Sequence, residues 1–330
     1  MKYKTLSNSR KTGNTVRIGI VELGSRSIRL MIADFNSRSE FTAVKTGTDL
    51  HNVKAETVSR EEIARLRDKL EALYDVLSAA SCDHIMVYGT AIARQIVQQD
   101  TQAFPNYFRV LSEEEEALAS WAAGFMCVHD RNVEKVVIAL DQGGGSAEFV
   151  SAHWSGFGMN KIKIDSFEFG NEHVVQKFLS LKKNEFENYI TDTVKKASVS
   201  LGRHVTDNES SSLFLLGSVA TKIAWLKVRS DVNDFYKPHL VNNIPVSISE
   251  LESAYNNLYR VYRNDPESAR AFVDSRAEAA LEVVRIISNS YLFATLLRCF
   301  PGANVRVSGY GVRHGMAFLI VNNLLGVQRG

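Results

Sequence analysis

Residues 136–150 read Val136-Val-Ile-Ala-Leu-Asp-Gln-Gly-Gly-Gly-Ser-Ala-Glu-Phe-Val150, and the architecture of the chain follows from them. The apolar run 136–140 predicts a buried strand that ends in the carboxylate of Asp141. Three consecutive glycines then predict a tight turn, because glycine adopts the backbone conformations that turns require. Apolar residues resume after the turn, so the pattern predicts a hairpin with an acidic residue beside its turn.

The same plan occurs earlier in the chain. Arg17-Ile-Gly-Ile-Val-Glu22 is an apolar run that ends in a carboxylate, and it is followed by a turn at 24–27 and a second apolar run at 28–33. Asp141 lies 119 residues after Glu22. Internal duplication is the economical explanation of this repeat.

The length of 330 residues exceeds the size at which one hydrophobic core keeps growing. Together with the repeat, it predicts an α/β protein of two domains with a cleft between them. The polar run His129-Asp-Arg-Asn132 interrupts two apolar segments and marks the boundary. The predicted organisation is a flexible N-terminal tail at 1–16, a first domain at 17–132 and a second domain at 133–330.

Composition excludes several classes of protein. A net charge of +2, 45% hydrophobic and 23% charged residues are typical of soluble globular proteins and argue against nucleic-acid binding. Three widely spaced cysteines predict free thiols in a reducing cytoplasm. The absence of a run of about 18–20 apolar residues predicts no membrane span, and the eight histidines show no metal-binding spacing.

Two helices in the first half carry clear start signals. Ser59 caps a helix that extends to Leu77, with Glu62 closing a capping box and apolar residues at 3/4 spacing. Ser112 begins another, with Glu115 as its capping-box partner. Further helices are predicted at 184–201, 249–263, 274–297 and after residue 311, and strands at 82–89, 213–216 and 305–308.

The triple glycine Gly143–Gly145 has two interpretations. A dinucleotide fingerprint would open a helix, whereas residues 147–150 resemble a strand, and a P-loop would need Gly-Lys-Ser/Thr. An ordinary glycine turn and a hairpin whose N–H groups cradle a phosphate both remain. The parallel turn at Glu22–Ser27 favours the phosphate cradle.

Asp141 and Glu148 flank this turn. Carboxylates beside phosphate-binding amides are unfavourable unless a cation is present, so the pattern favours Mg²⁺ held by carboxylate and phosphate oxygens. The alternative is that both are solvated surface acids. The five apolar residues before Asp141 argue against that alternative for this residue.

The acidic run Glu113–Glu116 opens the second of those helices. Capping and the helix dipole account for its first three residues. Glu116 lies on a side shared with small residues at 119, 120 and 123, which would leave it open to close approach, so capping and catalysis both remain open for it. Two interpretations, a phosphate clamp and a surface residue, remain for each of three arginines: Arg26, Arg29 and Arg94. With no nucleophile elbow or Cys–His signature, a water activated by a carboxylate is preferred over a covalent intermediate.

These motifs, in order from about residue 17 to 325, resemble the exopolyphosphatase / guanosine pentaphosphate phosphohydrolase (Ppx/GppA) family. Asp141-Gln-Gly-Gly-Gly-Ser-Ala-Glu148 is similar to the family's Asp-Ile-Gly-Gly-Gly-Ser-Thr-Glu, and Val21-Glu-Leu-Gly-Ser-Arg-Ser27 to its Asp-x-Gly-Ser-Asn-Ser loop. Gly89-Thr-Ala-Ile-Ala-Arg94 resembles its Thr-x-x-x-Arg element, and Leu111-Ser-Glu-Glu-Glu-Glu-Ala117 its Ile-Ser-Gly-x-Glu-Glu-Ala segment. Shorter and weaker matches to later segments of the family are Phe169-Gly170, Arg276-Ala277-Glu278 and Arg313-His-Gly315.

The resemblance implies two actin-like, sugar-kinase-like (ribonuclease H-like) domains and removal of a terminal phosphate from polyphosphate or the alarmone pppGpp. It implies that Glu116 activates water and that Mg²⁺ is held by Asp141 and Glu148, with Glu22 as a further possible ligand. It also implies a short form without the family's C-terminal helical domain, and a homodimer is expected from it. The residues implied to bind phosphate are Gly24, Ser25, Arg26, Ser27, Arg94, Gly143, Gly144, Gly145 and Ser146.

Departures from the family pattern keep other hypotheses open. Glu22 stands where the family usually has Asp, Arg26 replaces Asn, His314 replaces Glu, and the segment Gly217–Thr221 lacks paired glycines. The leading hypothesis is a Mg²⁺-dependent phosphohydrolase. A polyphosphate- or alarmone-binding regulatory protein with little turnover is the first alternative, and an ATP-using kinase or ATPase of the same fold is the second.

Overall fold

The computed structural model describes residues 4–5, 15–25, 27–36, 40–51, 53, 57–128, 135–155, 158–204, 211–229, 240–266, 268–269 and 279–324. The chain divides into two compact units. The first comprises Met1–Ala119 with Val312–Val327, and the second comprises Ser120–Gly311 with Gln328–Gly330. Within the described residues, no helix is long and apolar enough to cross a bilayer.

The first unit contains a six-stranded sheet with helices packed on it. Its elements are β1 (Lys4–Thr5), β2 (Val16–Leu23), β3 (Ser27–Phe35), β4 (Phe41–Leu50), α1 (Arg60–Ala79), β5 (His84–Gly89), α2 (Ala91–Gln99), β6 (Phe108–Val110) and the start of α3 (Glu113–Phe125). The strand order is β1-β4-β3-β2-β5-β6. Strands β4, β3 and β2 run antiparallel, whereas β2, β5 and β6 run parallel.

The second unit repeats this plan. Its elements are β7 (Lys135–Gln142), β8 (Ala147–Ser155), β9 (Gly158–Phe167), α4 (Asn171–Ser180), α5 (Lys183–Gly202), β10 (Ser212–Leu216), α6 (Ser218–Val228), β11 (Ile244–Pro245), α7 (Ile248–Asn264), α8 (Ala279–Leu297) and β12 (Asn304–Val307). The order β11-β12-β10-β7-β8-β9 places an antiparallel β9-β8-β7 meander beside parallel strands β10 and β12. Strands β4-β3-β2-β5-β6 therefore correspond to β9-β8-β7-β10-β12, as the sequence repeat predicts.

The predicted helix at 59–77 is confirmed as α1. Ser59 is its N-cap and accepts a hydrogen bond from the backbone of Glu62, whose side chain bonds back to Ser59. The apolar positions at 3/4 spacing are the buried ones: Ile63, Leu66, Leu70, Leu73 and Leu77. They pack on the β2–β3–β5 side of the sheet in one hydrophobic cluster, so the capping signal and the apolar stripe together define the helix.

The division of the chain differs from the sequence prediction at three places. The units separate between Ala119 and Ser120, inside α3, rather than near residue 132, because the later residues of this helix bond to β7 of the second unit. The last helix, α9 (Val312–Val321), packs against β2 and belongs to the first unit. Within the predicted tail at 1–16, Lys4–Thr5 pair with β4, and β2 already begins at Val16.

Candidate active site

Two glycine turns of similar geometry follow the first long strand of each unit. Between β2 and β3, the N–H of Gly24 donates to the carbonyl of Ser27 at 2.9 Å. Between β7 and β8, the N–H of Gly143 donates to the carbonyl of Ser146, also at 2.9 Å. Equivalent atoms belong to residues 119 positions apart, so the repeat extends to individual hydrogen bonds.

The second turn is held by the first turn of α4. The N–H of Asn171 donates to the carbonyl of Gly143, and the N–H of Glu172 donates to the carbonyl of Gly144, each at 2.9 Å. These bonds satisfy two N–H groups at the start of the helix that have no intrahelical partner. They also fix the turn with its carbonyl groups toward α4.

Close packing at Gly170 makes this arrangement possible. A Cβ atom at position 170 would lie 2.2 Å from the carbonyl carbon of Gly145 and 2.4 Å from the nitrogen of Ser146, so a larger residue would displace the turn. In the part of the chain that the structure describes, no protein acceptor takes the N–H of Gly144, Gly145 or Ser146. These three predicted phosphate-binding residues therefore offer unused backbone donors, which suits an anion.

Asp141 and Glu148 are direct partners across the β7–β8 hairpin. Partners in an antiparallel pair point to the same face, with Cβ atoms about 4.5–5.5 Å apart. Ser120 Oγ donates to Asp141 Oδ2 at 2.6 Å, and Ser146 Oγ donates to Glu148 Oε1 at 2.5 Å. The sequence prediction that these carboxylates lie together beside the glycine turn is thus met, with Ser120 as a partner it did not identify.

A third loop approaches Asp141 at Gly217, which precedes α6. Gly217 has a φ of +95°, and a Cβ there would lie 2.8 Å from the carbonyl oxygen of Gln142. It would also lie 3.5 Å from Asp141 Oδ1, so the start of α6 is beside the carboxylate. The positive end of the helix dipole favours a negative charge there. One glycine thus provides the close approach in a segment that lacks the family's paired glycines.

The Asp141–Glu148 pair fits a divalent cation of the Mg²⁺ type. Such a cation binds through one or two carboxylates and completes its shell with water and phosphate oxygens. No group of three or more His, Cys, Asp and Glu side chains within the described residues is arranged to hold a metal. The two carboxylates leave the other positions around such a cation to water and phosphate oxygens.

The first hairpin has different chemistry at the equivalent positions. Glu22 is paired across the sheet with Arg29 on one side and Tyr88 on the other. Its side chain is 7% exposed, and Oε2 lies 3.8 Å from Arg29 Nη1 and 3.9 Å from Arg313 Nη1. The two guanidinium groups offset the negative charge of Glu22 and would repel a cation bound to it. The predicted metal-ligand role of Glu22 does not fit these surroundings.

The carboxylate implied to activate water is bonded to the arginine implied to bind phosphate. Arg94 Nη1 donates to Glu116 Oε2 at 2.9 Å and to the carbonyl of Leu111 at 3.0 Å. Both side chains are partly buried, with about one-fifth of each exposed. Arg94 therefore orients Glu116 in this structure.

The capping interpretation of the acidic run is confirmed for Glu115. Its N–H donates to Ser112 Oγ at 3.2 Å, and its carboxylate accepts from the Ser112 N–H at 3.0 Å. The small residues expected to leave the Glu116 side open are instead buried at 119, 120 and 123. Small side chains at these positions allow close packing, and the carbonyl of Ala123 accepts a hydrogen bond from Ser308 Oγ at 3.1 Å.

A buried amide network lies behind the second turn. Gln142 Nε2 donates to Asn289 Oδ1 at 2.5 Å, and Asn289 Nδ2 donates to Asn171 Oδ1 at 2.8 Å. All three residues are less than one-tenth exposed. Buried polar groups that bond to one another favour a single arrangement, so the network ties β7, α4 and α8 together.

Several residues that complete the site carry little or no signal in the sequence. Arg313 and Gly170 occur only in weak family matches, Ser120 only as a small neighbour of Glu116, and Tyr88 has no signal of its own. Their roles arise from contacts between positions distant in the chain, and a buried serine in the apolar helix α3 was the one available signal. Of the predicted phosphate-binding residues, Ser25 is exposed beside Gly24. Predictions that lie outside the described residues concern Arg26, 129–132 and 276–278.

Comparisons with known proteins agree with this architecture. A model of the Ppx/GppA phosphatase family matches residues 30–324. The crystal structure of the Aquifex aeolicus member of the Ppx/GppA family is 16% identical, covers 94% of this chain and 99% of that chain, and has a TM-score of 0.74. An exopolyphosphatase from Cytophaga hutchinsonii is 15% identical, with 93% and 98% covered and a TM-score of 0.69. A search of curated proteins finds no match. The predicted fold class, α/β with two actin-like sheets, is confirmed.

Proposed function

The chain belongs to the Ppx/GppA phosphatase family, and on that premise we propose that it is a Mg²⁺-dependent phosphohydrolase that releases the terminal phosphate of polyphosphate or pppGpp. The observation that carries the proposal is the Asp141–Glu148 pair beside the Gly143–Ser146 turn. Unused N–H groups and two carboxylates on one face suit a phosphoanhydride that arrives with a divalent cation.

Each step assigns a role to a side chain or backbone group of this chain. The N–H groups of Gly144, Gly145 and Ser146 bind phosphate oxygens. Asp141 and Glu148 hold Mg²⁺, which when bound neutralises charge on the phosphate oxygens. Phosphoryl transfer depends on such positioning and charge neutralisation more than on covalent chemistry.

Glu116 is the proposed base. Its carboxyl group, oriented by Arg94, is placed to accept the proton of an attacking water and to aim that water at the terminal phosphorus. No residue forms a covalent intermediate in this scheme, and the products are orthophosphate and a chain shortened by one phosphate. The proposed homodimer rests on the family resemblance and the proposed cytoplasmic location on the three widely spaced cysteines, and neither adds a step.

Two observations favour the binding-protein alternative. Arg94 donates to Glu116 and to a backbone carbonyl, and Glu22 stands between two arginines where the family has an aspartate loop. If these contacts of Arg94 and Glu22 persist when a ligand is bound, the protein would bind phosphate chains but hydrolyse them slowly. The experiment that decides between them therefore measures turnover and binding together.

The test is release of orthophosphate by the wild-type protein from long-chain polyphosphate, pppGpp and ATP, each with Mg²⁺ and with EDTA. We expect Mg²⁺-dependent release from polyphosphate or pppGpp in preference to ATP. Binding of either substrate without release would overturn the hydrolase proposal in favour of the regulatory protein. Phosphorylation of an added small molecule by ATP would instead indicate a kinase.

A further inference from the structure

A histidine that has no part in the proposed reaction holds the first glycine turn from outside. His51 directly follows β4, and its Nε2 lies 2.9 Å from the carbonyl oxygen of Gly24. A carbonyl oxygen only accepts hydrogen bonds, so Nε2 carries the hydrogen and donates it. The bond spans 27 positions and ties the end of β4 to the turn between β2 and β3.

The second turn has the equivalent carbonyl held in a different way. Gly143 stands 119 residues after Gly24, and its carbonyl accepts from the N–H of Asn171 at 2.9 Å. Asn171 is the first residue of α4, which follows β9, the strand that corresponds to β4. The same offset from His51 leads to position 170, one residue before Asn171. An imidazole in the first unit therefore does what a helix N-terminus does in the second, at nearly the same point of the repeat.

A held carbonyl also fixes the direction of the next N–H. The carbonyl of Gly24 and the N–H of Ser25 belong to one planar trans peptide unit, in which the two bonds point in opposite directions. Because His51 takes the carbonyl, the N–H of Ser25 points away from the imidazole. Ser25 is exposed, which leaves room for a ligand beside it. The same geometry relates the held carbonyl of Gly143 to the N–H of Gly144, one of the unused donors of the second turn.

The surroundings of His51 favour a neutral ring with a single N–H. Burial lowers the pKa of His51, and the bond to the Gly24 carbonyl opposes that effect. Lys69 lowers the pKa further and Asp49 raises it, and these two side chains pair with each other at 2.8 Å. The one N–H of the neutral ring is then the donor at Nε2.

The other ring nitrogen shows that stability alone does not explain this histidine. Nδ1 of His51 is buried and bonds to none of the residues that the structure describes. A buried acceptor without a partner costs free energy, whereas an apolar side chain of similar size has no such cost. The ring therefore contributes chiefly its single bond to the Gly24 carbonyl.

We propose that His51 is a positioning residue, whose bond to the Gly24 carbonyl aims the N–H of Ser25 at an anionic oxygen of the substrate. That this oxygen belongs to a phosphate chain rests on the proposed function. His51 acts through the turn and does not touch the substrate. The two halves of the repeat have kept the turn and exchanged the donor that holds it, a side chain in one unit and the backbone in the other.

The experiment compares variants that remove the donor with one that replaces it. His51→Leu removes it, and His51→Gln supplies an amide N–H at about the position of Nε2. The matched control is His153→Leu, because His153 in β8 is also half-buried with an unpartnered Nδ1. Titration calorimetry in EDTA gives the dissociation constant of tripolyphosphate, and initial rates with Mg²⁺ give KM and kcat for polyphosphate. Thermal unfolding identifies the variants that fold, and His51→Ala takes the place of His51→Leu if the latter does not.

We expect His51→Leu to weaken tripolyphosphate binding and to raise KM by about tenfold, the effect of misdirecting one hydrogen bond to a charged group. We expect kcat to stay within about threefold, because the turn binds ground state and transition state alike. His51→Gln should restore binding to within about threefold of wild type, and His153→Leu should match wild type. These changes should occur with little change in the midpoint of thermal unfolding.

Three results would overturn the proposal for His51: unchanged binding in the folded variant without the donor, equal losses in His51→Leu and His51→Gln, or equal losses in His51→Leu and His153→Leu. Wild-type protein that does not bind tripolyphosphate would overturn it as well. Binding that depends on His51 in a protein that releases no phosphate would overturn the hydrolase and leave the role of His51 in place. Phosphate release with the same KM in His51→Leu would do the reverse.

Discussion

Glu116 and Arg94 show how a single contact alters the assignment of two residues. Considered separately, a carboxylate and an arginine near a phosphate loop suggest a base and a clamp. The hydrogen bond from Arg94 Nη1 to Glu116 Oε2, with the Leu111 carbonyl as a second acceptor, makes Arg94 a positioning residue for the proposed base. The pair lies wholly within the first unit, so the base is oriented by local structure.

His204 provides a test at the same scale, outside the candidate site. Its Nδ1 is 2.8 Å from Ser151 Oγ and its Nε2 is 2.8 Å from Asp165 Oδ2. Burial lowers the pKa of His204, and Lys163 and Arg203 act in the same direction, while Asp165 opposes them. The unfolded chain therefore takes up a proton at a higher pH than the folded protein does.

From that sign we predict that the free energy of unfolding falls as the pH drops below about 6.5, by at most about 1.4 kcal/mol per pH unit for this group. Above pH 6.5 the contribution of neutral His204 to the free energy of unfolding is fully present. Urea unfolding between pH 8 and pH 5 checks it, with His204→Gln expected to show a flatter profile. The control is His84→Gln, an exposed histidine at the start of β5. An equally steep acid loss in His204→Gln would assign the effect to other groups.

At the scale of elements, the second phosphate turn depends on how closely α4 approaches it. The helix begins directly after Gly170 and has no side-chain N-cap, so the carbonyl groups of the turn act as acceptors for its first N–H groups. Helix and turn thus fix each other. The buried amide network of Gln142, Asn171 and Asn289 supports the same junction.

We predict that Gly170→Ala lowers the free energy of unfolding by about 1–3 kcal/mol, because its Cβ would overlap the backbone of the turn. We expect the rate of phosphate release to fall by more than the loss of folded protein accounts for, because the displaced N–H groups are those proposed to bind phosphate. Denaturant unfolding and phosphate release measure the two effects. Gly202→Ala is the control, because a Cβ at the end of α5 meets no atom within 4 Å. Similar behaviour of the two variants would contradict the close-approach argument.

Local sequence signals predicted those helices and strands that form without contacts from distant parts of the chain. The capping box and apolar stripe of α1 and the apolar run before Asp141 each define an element without help from distant residues. Helix α4 escaped prediction because it has no capping side chain and depends on backbone acceptors of the turn at 143–146. A helix whose first N–H groups bond to a distant part of the chain needs no capping side chain, so its own sequence gives little sign of where it begins.

At the scale of the whole molecule, the repeat predicted the duplicated topology but not the division of the chain. The repeat holds for strand order, and the 119-residue offset holds for the turn hydrogen bond and for the residue pairs across each hairpin. The return of α9 to the first unit brings Arg313 beside Glu22, a contact across 291 positions that no periodicity encodes. The family motifs located the candidate site, whereas its charge balance required the structure.

The central claim is that Glu116 performs the chemistry, and the most direct measurement is orthophosphate release by Glu116→Gln against wild type under saturating substrate and Mg²⁺. The matched control is Glu113→Gln, an exposed residue in the same helical turn. We predict that Glu116→Gln loses about 10²-fold or more in kcat, as expected for removal of a general base, while Glu113→Gln stays within about twofold of wild type. Wild-type turnover in a folded Glu116→Gln protein, or equal losses in both variants, would contradict the account.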